Sequence, residues 1–147
     1  MSRTPTRPSS YIKTIWRSTV SPYVRLLGCL KTTGTRIYGN CYTCGRTNIP
    51  FEELEAGHCI AKYGHAAVEL EEDNIRPQCH ICNDVKRGNG MRATFEANLR
   101  KEIGNQRVDR LILLSKQTKR WTLDELQKIK QEYETKKEKL LQVKGLI

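Results

Sequence analysis

CYTCG at residues 41–45 and CHICN at residues 79–83 decide how the rest of this chain is read. Each contains a Cys-x-x-Cys knuckle. Together they offer four thiolates, from Cys41, Cys44, Cys79 and Cys82, to one tetrahedral ion at ~2.3 Å. Soft sulfur donors favour zinc, and four of them leave no open position for water, so the expected role is structural. Such an ion ties the loop around Cys41 to the element that begins near Cys79. The knuckles thus frame a small fold.

Between and after them lie EAGHCI (55–60), EEDNIRPQ (71–78) and CHICNDVKRGN (79–89), which carry His58, Asn74 and Asn83 in that order. If the chain past the first knuckle forms a hairpin bearing His58, followed by a loop bearing Asn74, the second knuckle starts a helix whose first turn holds Asn83. One zinc then gathers a histidine and two amide side chains. Cys59 and Cys29 read as small apolar core residues. His80, inside the second knuckle, reads as facing solvent or DNA, and His65 as a loop histidine.

The 147 residues allow one domain with an arm or tail. Residues 1–22, rich in Ser, Thr, Pro and Arg, read as a basic mobile arm. Residues 23–90 read as the zinc-stapled module, and 91–147 as a helical region that packs on the module or dimerises. In that region RATFEANLRKEI ends at Gly104, NQRVDRLILLSK follows, and Thr122 with Glu125 has capping-box spacing for a long third helix. Leu126, Ile129, Tyr133 and Leu140 recur on one face of it, interrupted by Lys136 and Lys137. The expected class is α+β.

A net charge of +10 favours a polyanionic partner, and every basic residue up to Arg46 precedes the first acid, Glu52. Arg3, Arg7, Lys13, Arg17 and Arg25, with Lys86, Arg87 and Arg92 after the second knuckle, are the candidate DNA contacts. Tyr11, Trp16 and Tyr23 are interleaved among the first group. No apolar run approaches the ~20 residues of a membrane span, and MSRTPTRPSS lacks the apolar core of a secretory signal. The expectation is a cytoplasmic protein, of the host cell if phage-encoded, whose reduced cysteines serve a metal.

The pattern CxxC, GH, N, CxxCN, K, GN resembles the HNH (His-Me finger) nucleases of zinc-bearing, treble-clef-like ββα-metal fold. The run from CYTCG through EAGHCI, DNIRPQCHICN, GN and QRVDRL resembles specifically the NinG/Rap family of phage recombination nucleases. The resemblance covers roughly residues 23–140 and is most specific from Cys41 to Asn89. It implies metal-dependent hydrolysis of branched DNA such as Holliday junctions and D-loops. His58 would be the general base, its ordinary pKa of ~6.5 leaving a neutral imidazole near pH 7. Asn74 would brace the hairpin and orient the His58 ring, and Asn83 would give an oxygen to a catalytic Mg²⁺ or Mn²⁺. Lys86, Arg87 and Arg92 would flank the scissile phosphate.

One departure stands out. Many HNH enzymes carry an aspartate immediately before the base histidine as a second metal ligand, whereas this chain has Gly57 there and Glu55 as the nearest acid. Glu55 is therefore the candidate second ligand, with Asp73 and Asp84 behind it. Two other readings stay open: a zinc-finger protein that only grips DNA, and a restriction or homing HNH endonuclease that reads duplex sequence. Opposed cuts in a four-way junction would be made most simply by a two-fold homodimer, with the helix from Thr122 as its candidate interface.

Overall fold

The computed structural model describes residues 7–84 and 89–142. Pro8 opens the first helix, α1 (Pro8–Ile15), at a position where its missing N–H is no loss. The helix widens into one π turn over Trp16–Val20 and tightens again as α2 (Ser21–Thr33). Pro22 explains the widening: it has no N–H for the carbonyl four residues back, and its ring would crowd that group. The chain leaves α2 through Gly34, whose φ of 73° is left-handed and whose N–H donates to the Leu30 carbonyl at 3.1 Å.

The mobile arm expected over residues 1–22 is corrected from Arg7 onward. Ile15 and Val20 are fully buried, packed with Tyr23, Leu126 and Tyr133, and Tyr11, Ile12 and Trp16 lie against the same cluster. Linker-like composition hid a helical spacing of apolar residues, and burial of that face outweighs the Ser, Thr and Arg on the other.

Two short antiparallel pairs follow. β1 (Tyr38–Gly39) pairs with β2 (Ile49–Pro50), with the first knuckle in the turn between them. β3 (Glu55–His58) pairs with β4 (Ile75–Gln78) in the register Glu55↔Gln78, Gly57↔Arg76, His58↔Ile75. β4 runs directly into α3 (His80–Asn83), for which Cys79 is the N-cap. The expected hairpin, Asn74 connection and helix at the second knuckle are all present.

α4 (Arg92–Ile103) and α5 (Asn105–Ser115) turn about Gly104 at φ 89°. They bury Phe95, Leu99 and Val108 against Cys59. α6 (Leu123–Leu141) starts at the expected capping box, Thr122 accepting from the Glu125 N–H and Glu125 from the Thr122 N–H. Its apolar stripe turns inward: Leu126 and Tyr133 are buried against Ile15, Val20, Ala56 and Ile75, and the Tyr133 hydroxyl donates to the Leu70 carbonyl at 2.5 Å. Of the two roles expected for this region, packing on the module is the one its apolar face serves, with Leu126 and Ile129 lying against the cluster. The same cluster mixes residues from all three stretches, so the boundaries expected at 22 and 90 do not separate packing units. Among the described residues, no helix is long and apolar enough to cross a membrane.

Candidate functional site

The four knuckle cysteines converge, their Sγ atoms all lying within 4.8 Å of one another. The Cys44–Cys79 separation of 3.8 Å matches the ~3.8 Å edge of a tetrahedron with 2.3 Å metal–sulfur bonds. Gly45, at φ 76°, returns its N–H to the Cys41 carbonyl at 3.2 Å, and the Cys82 N–H points at Cys79 Sγ at 3.4 Å. Burial opposes a charge on Cys41, yet hydrogen bonds from Thr43 and neighbouring backbone outweigh it and draw the thiol down to about 6. This cluster could hold a metal such as zinc, and its four sulfurs would close the coordination shell. Cys29 and Cys59 are buried outside the four-sulfur set, Cys29 packed in one apolar cluster with Cys41, Cys79 and Cys82, and burial pushes Cys59 up to about 11.

Side chains alternate along β3, so it carries two different surfaces. His58 faces Trp16, the rings stacked with centroids 4.7 Å apart and planes at 19°. His58 Nε2 lies 2.9 Å from the Glu69 carbonyl, which can only accept, so Nε2 carries the proton and Nδ1 is the basic nitrogen. Burial pushes the ring down from 6.5 to about 4; the Glu69 carbonyl opposes this shift and Lys62 adds to it.

Asn74 is fully buried, and one part of its expected role is corrected. Its Oδ1 accepts from the Ile60 N–H at 2.7 Å, while its Nδ2 donates to the Ile60 and Val68 carbonyls, both at 3.0 Å. It braces the chain beyond β3. Orientation of the His58 ring belongs instead to Glu69 and Trp16, because the Asn74 amide is already spent on backbone groups.

On the other surface of β3, Asn83 Nδ2 donates to Glu55 Oε1 at 2.9 Å, and His80 Nδ1 meets Glu55 Oε2 at 2.6 Å. A carboxylate accepts only, so the Asn83 amide is held with Oδ1 turned away from Glu55. That oxygen lies 2.8 Å from the point where a Cβ on Gly57 would stand. Glu55 thus orients Asn83, and each of its two oxygens takes one of these contacts. His80, expected to look outward only, contributes to the same contact. Asp73 is held by Arg107 through two hydrogen bonds, and Asp84 Oδ2 lies 3.7 Å from His80 Nε2. His65 Nδ1 lies 2.9 Å from the Ala61 carbonyl, in the loop where it was expected.

The candidate DNA contacts divide. Lys13 and Arg17 are exposed on the helix that brings Trp16 over His58, and Arg7 is exposed at its start. Arg25 is committed to the fold, donating to the Ser21 and Phe51 carbonyls with its guanidinium 4.5 Å from the Phe51 ring centre. Arg92 is paired with Glu96 at 3.1 Å. Arg3, Lys86 and Arg87 lie outside the described residues. A cleft of about 710 Å³ between α2, β4 and α4 is lined by Leu27, Lys31, Arg76 and Glu102, and includes neither His58 nor Asn83.

Sequence reading missed Trp16, Glu69 and Gln78. Trp16 and Glu69 act through tertiary contact and a backbone carbonyl, which no local motif marks. Gln78 directly precedes the second knuckle, and the lack of a side chain at Gly57 was the available signal.

These elements define a small mixed α/β protein with four cysteines placed to bind one metal ion. The family model described as "Bacteriophage Lambda NinG protein" matches residues 21–143, and the chain belongs to the NinG family. It is 32% identical over 96 residues to Protein ninG of Escherichia phage lambda, covering 65% of this chain and 45% of that relative. Protein ninG of Salmonella phage P22 gives the same identity and coverage, and that of Escherichia phage 933W is 31% identical. The chain therefore spans about half the length of the curated relatives it matches. No solved structure matches it.

Proposed function

We propose that this chain is an HNH-type endonuclease of ββα-metal architecture that hydrolyses phosphodiester bonds in branched DNA recombination intermediates. The observation that carries the reading is the juxtaposition along β3. His58 is a neutral histidine with its basic Nδ1 fixed by the Glu69 contact, and the residue before it, Gly57, opens onto Asn83 Oδ1.

In this reading His58 Nδ1 takes the proton of the attacking water. Its depressed pKa keeps the ring unprotonated throughout the neutral range, and Trp16 limits its rotation. Asn83 Oδ1 is a hard donor suited to Mg²⁺ or Mn²⁺, a fit supported by Glu55 turning that oxygen toward Gly57. When bound, the cation neutralises charge on the phosphate and the leaving oxygen. Zinc at Cys41, Cys44, Cys79 and Cys82 holds β4 and α3, and so the Asn83 backbone, in place. Lys13 and Arg17 give non-specific attraction to phosphate beside the site. The setting is the host cytoplasm.

The test is incubation of zinc-loaded protein with a synthetic four-way junction and a matched duplex, with and without Mg²⁺ or Mn²⁺. Cation-dependent cutting concentrated at the branch is expected. Binding without cutting under every condition identifies a non-enzymatic zinc-finger protein, and cutting of the duplex at one sequence identifies a restriction or homing type.

A further inference from the structure

Gln78 ends β4 and is fully buried. Its amide is held in one orientation: Nε2 donates to the Gly90 carbonyl at 3.0 Å and to Thr43 Oγ1 at 3.1 Å. A carbonyl cannot donate, so the oxygen must point the other way. Oε1 lies 1.8 Å from the position a Gly57 Cβ would take, and it is buried with no hydrogen-bond partner among the described residues. Leaving a polar atom in that state costs it the hydration it would have in water with no hydrogen bond in return. A buried oxygen without a partner calls for an explanation, and a bound ion is one that would satisfy it.

Asn83 Oδ1 is aimed at the same vacated point, 2.8 Å from it. Two amide oxygens of different elements converge where Gly57 has no side chain. Any side chain at 57 would displace Gln78 Oε1, since 1.8 Å is far inside contact distance.

We propose that Gln78 Oε1 and Asn83 Oδ1 form the oxygen pair that holds a hard divalent cation, with Gln78 supplying across the hairpin the ligand that Gly57 lacks. The inference rests on the nuclease reading for its purpose. It also gives Gly57 a role: the missing Cβ makes space for an oxygen carried on the neighbouring strand. Thr43 joins this site to the first knuckle, its hydroxyl lying 3.4 Å from Cys41 Sγ.

The experiment is titration of Mn²⁺ into zinc-loaded, DNA-free protein, read by electron paramagnetic resonance and by broadening of the Gln78 side-chain amide in the NMR spectrum. Wild type is expected to bind one Mn²⁺ and to lose the Gln78 amide signal. Gln78→Met and Asn83→Ala should each weaken binding by about 100-fold or more, and Glu55→Gln by a smaller factor of about ten-fold, the low end of the range for ligand-orienting groups. The exchange variant Gly57→Asp/Gln78→Ala should bind again, since the aspartate then occupies the room the glutamine vacates.

A sharp Gln78 amide signal at saturating Mn²⁺ overturns the proposal. So does a Gln78→Met protein that keeps its zinc, melts cooperatively and binds Mn²⁺ as wild type does. If that variant fails to fold, the wild-type amide signal still decides. Unchanged junction cutting by Gln78→Met removes Gln78 while leaving the nuclease reading standing. Absence of both Mn²⁺ binding and cutting in wild type removes both.

Discussion

The four-cysteine cluster and the surroundings of Gly57 and His58 sit side by side and are built on opposite principles. The first uses four side chains of one soft type in two local repeats, and local spacing alone brings each pair together. The second uses single residues of β3, β4, α3 and the π turn that begins at Trp16, and only their packing makes neighbours of them. A cluster that stores its geometry in local sequence suits a structural ion. One assembled from separate elements can be tuned residue by residue, and it depends on the first to exist.

That dependence can be broken most severely at Cys82. Cys82→Ser should lose zinc and cooperative folding together, because apparent structural-zinc binding energies of about 10–16 kcal/mol are also folding energy. Zinc content and thermal melting check this, and a normally melting Cys82→Ser protein would separate the two centres. His58→Ala should act on the second centre alone. Junction cutting is expected to fall by about 10² to 10⁴-fold with zinc content and junction affinity retained, measured by single-turnover cleavage beside a binding assay.

A third, smaller effect is pH dependence. His58 has a folded pKa of about 4 against 6.5 when exposed. Between those values the unfolded chain carries a proton that the folded one does not. The associated stability is therefore complete above pH 6.5 and lost as pH falls to about 4, amounting to at most about 3 kcal/mol. Denaturant melts of wild type and His58→Gln across this window should converge toward low pH. Trp16→Ala should raise the His58 titration toward 6.5 in NMR, since it removes the stacked ring that desolvates the imidazole.

The smallest change concerns attraction to DNA. Lys13→Ala/Arg17→Ala should reduce the magnitude of the log-log salt slope of junction binding by about 1.8, without touching zinc or melting. An unaltered slope would show that the exposed face bearing Lys13 and Arg17 does not meet phosphate.

The sequence by itself determined the cysteine set, the hairpin-then-helix order, the capping box at Thr122, the Gly104 turn and the basic bias. All are local: they depend on spacings of a few residues, on the conformational demands of Gly and Ser/Thr, or on formal charge. Membership of the NinG family was legible for the same reason, being carried mainly by the knuckles and the short runs between them.

Tertiary structure decided the rest. Residues 7–22 form a packed helix because α6 and the hairpin offer an apolar surface to cover, and the stripe of α6 lies in that contact. Glu55 faces Asn83, Asn74 faces backbone, and Gln78 reaches over Gly57 because strand register, not sequence distance, selects neighbours. Spacing in the chain can say which groups are available. Which of them share a few ångströms is settled only when burial and hydrogen bonding are satisfied for every element at once.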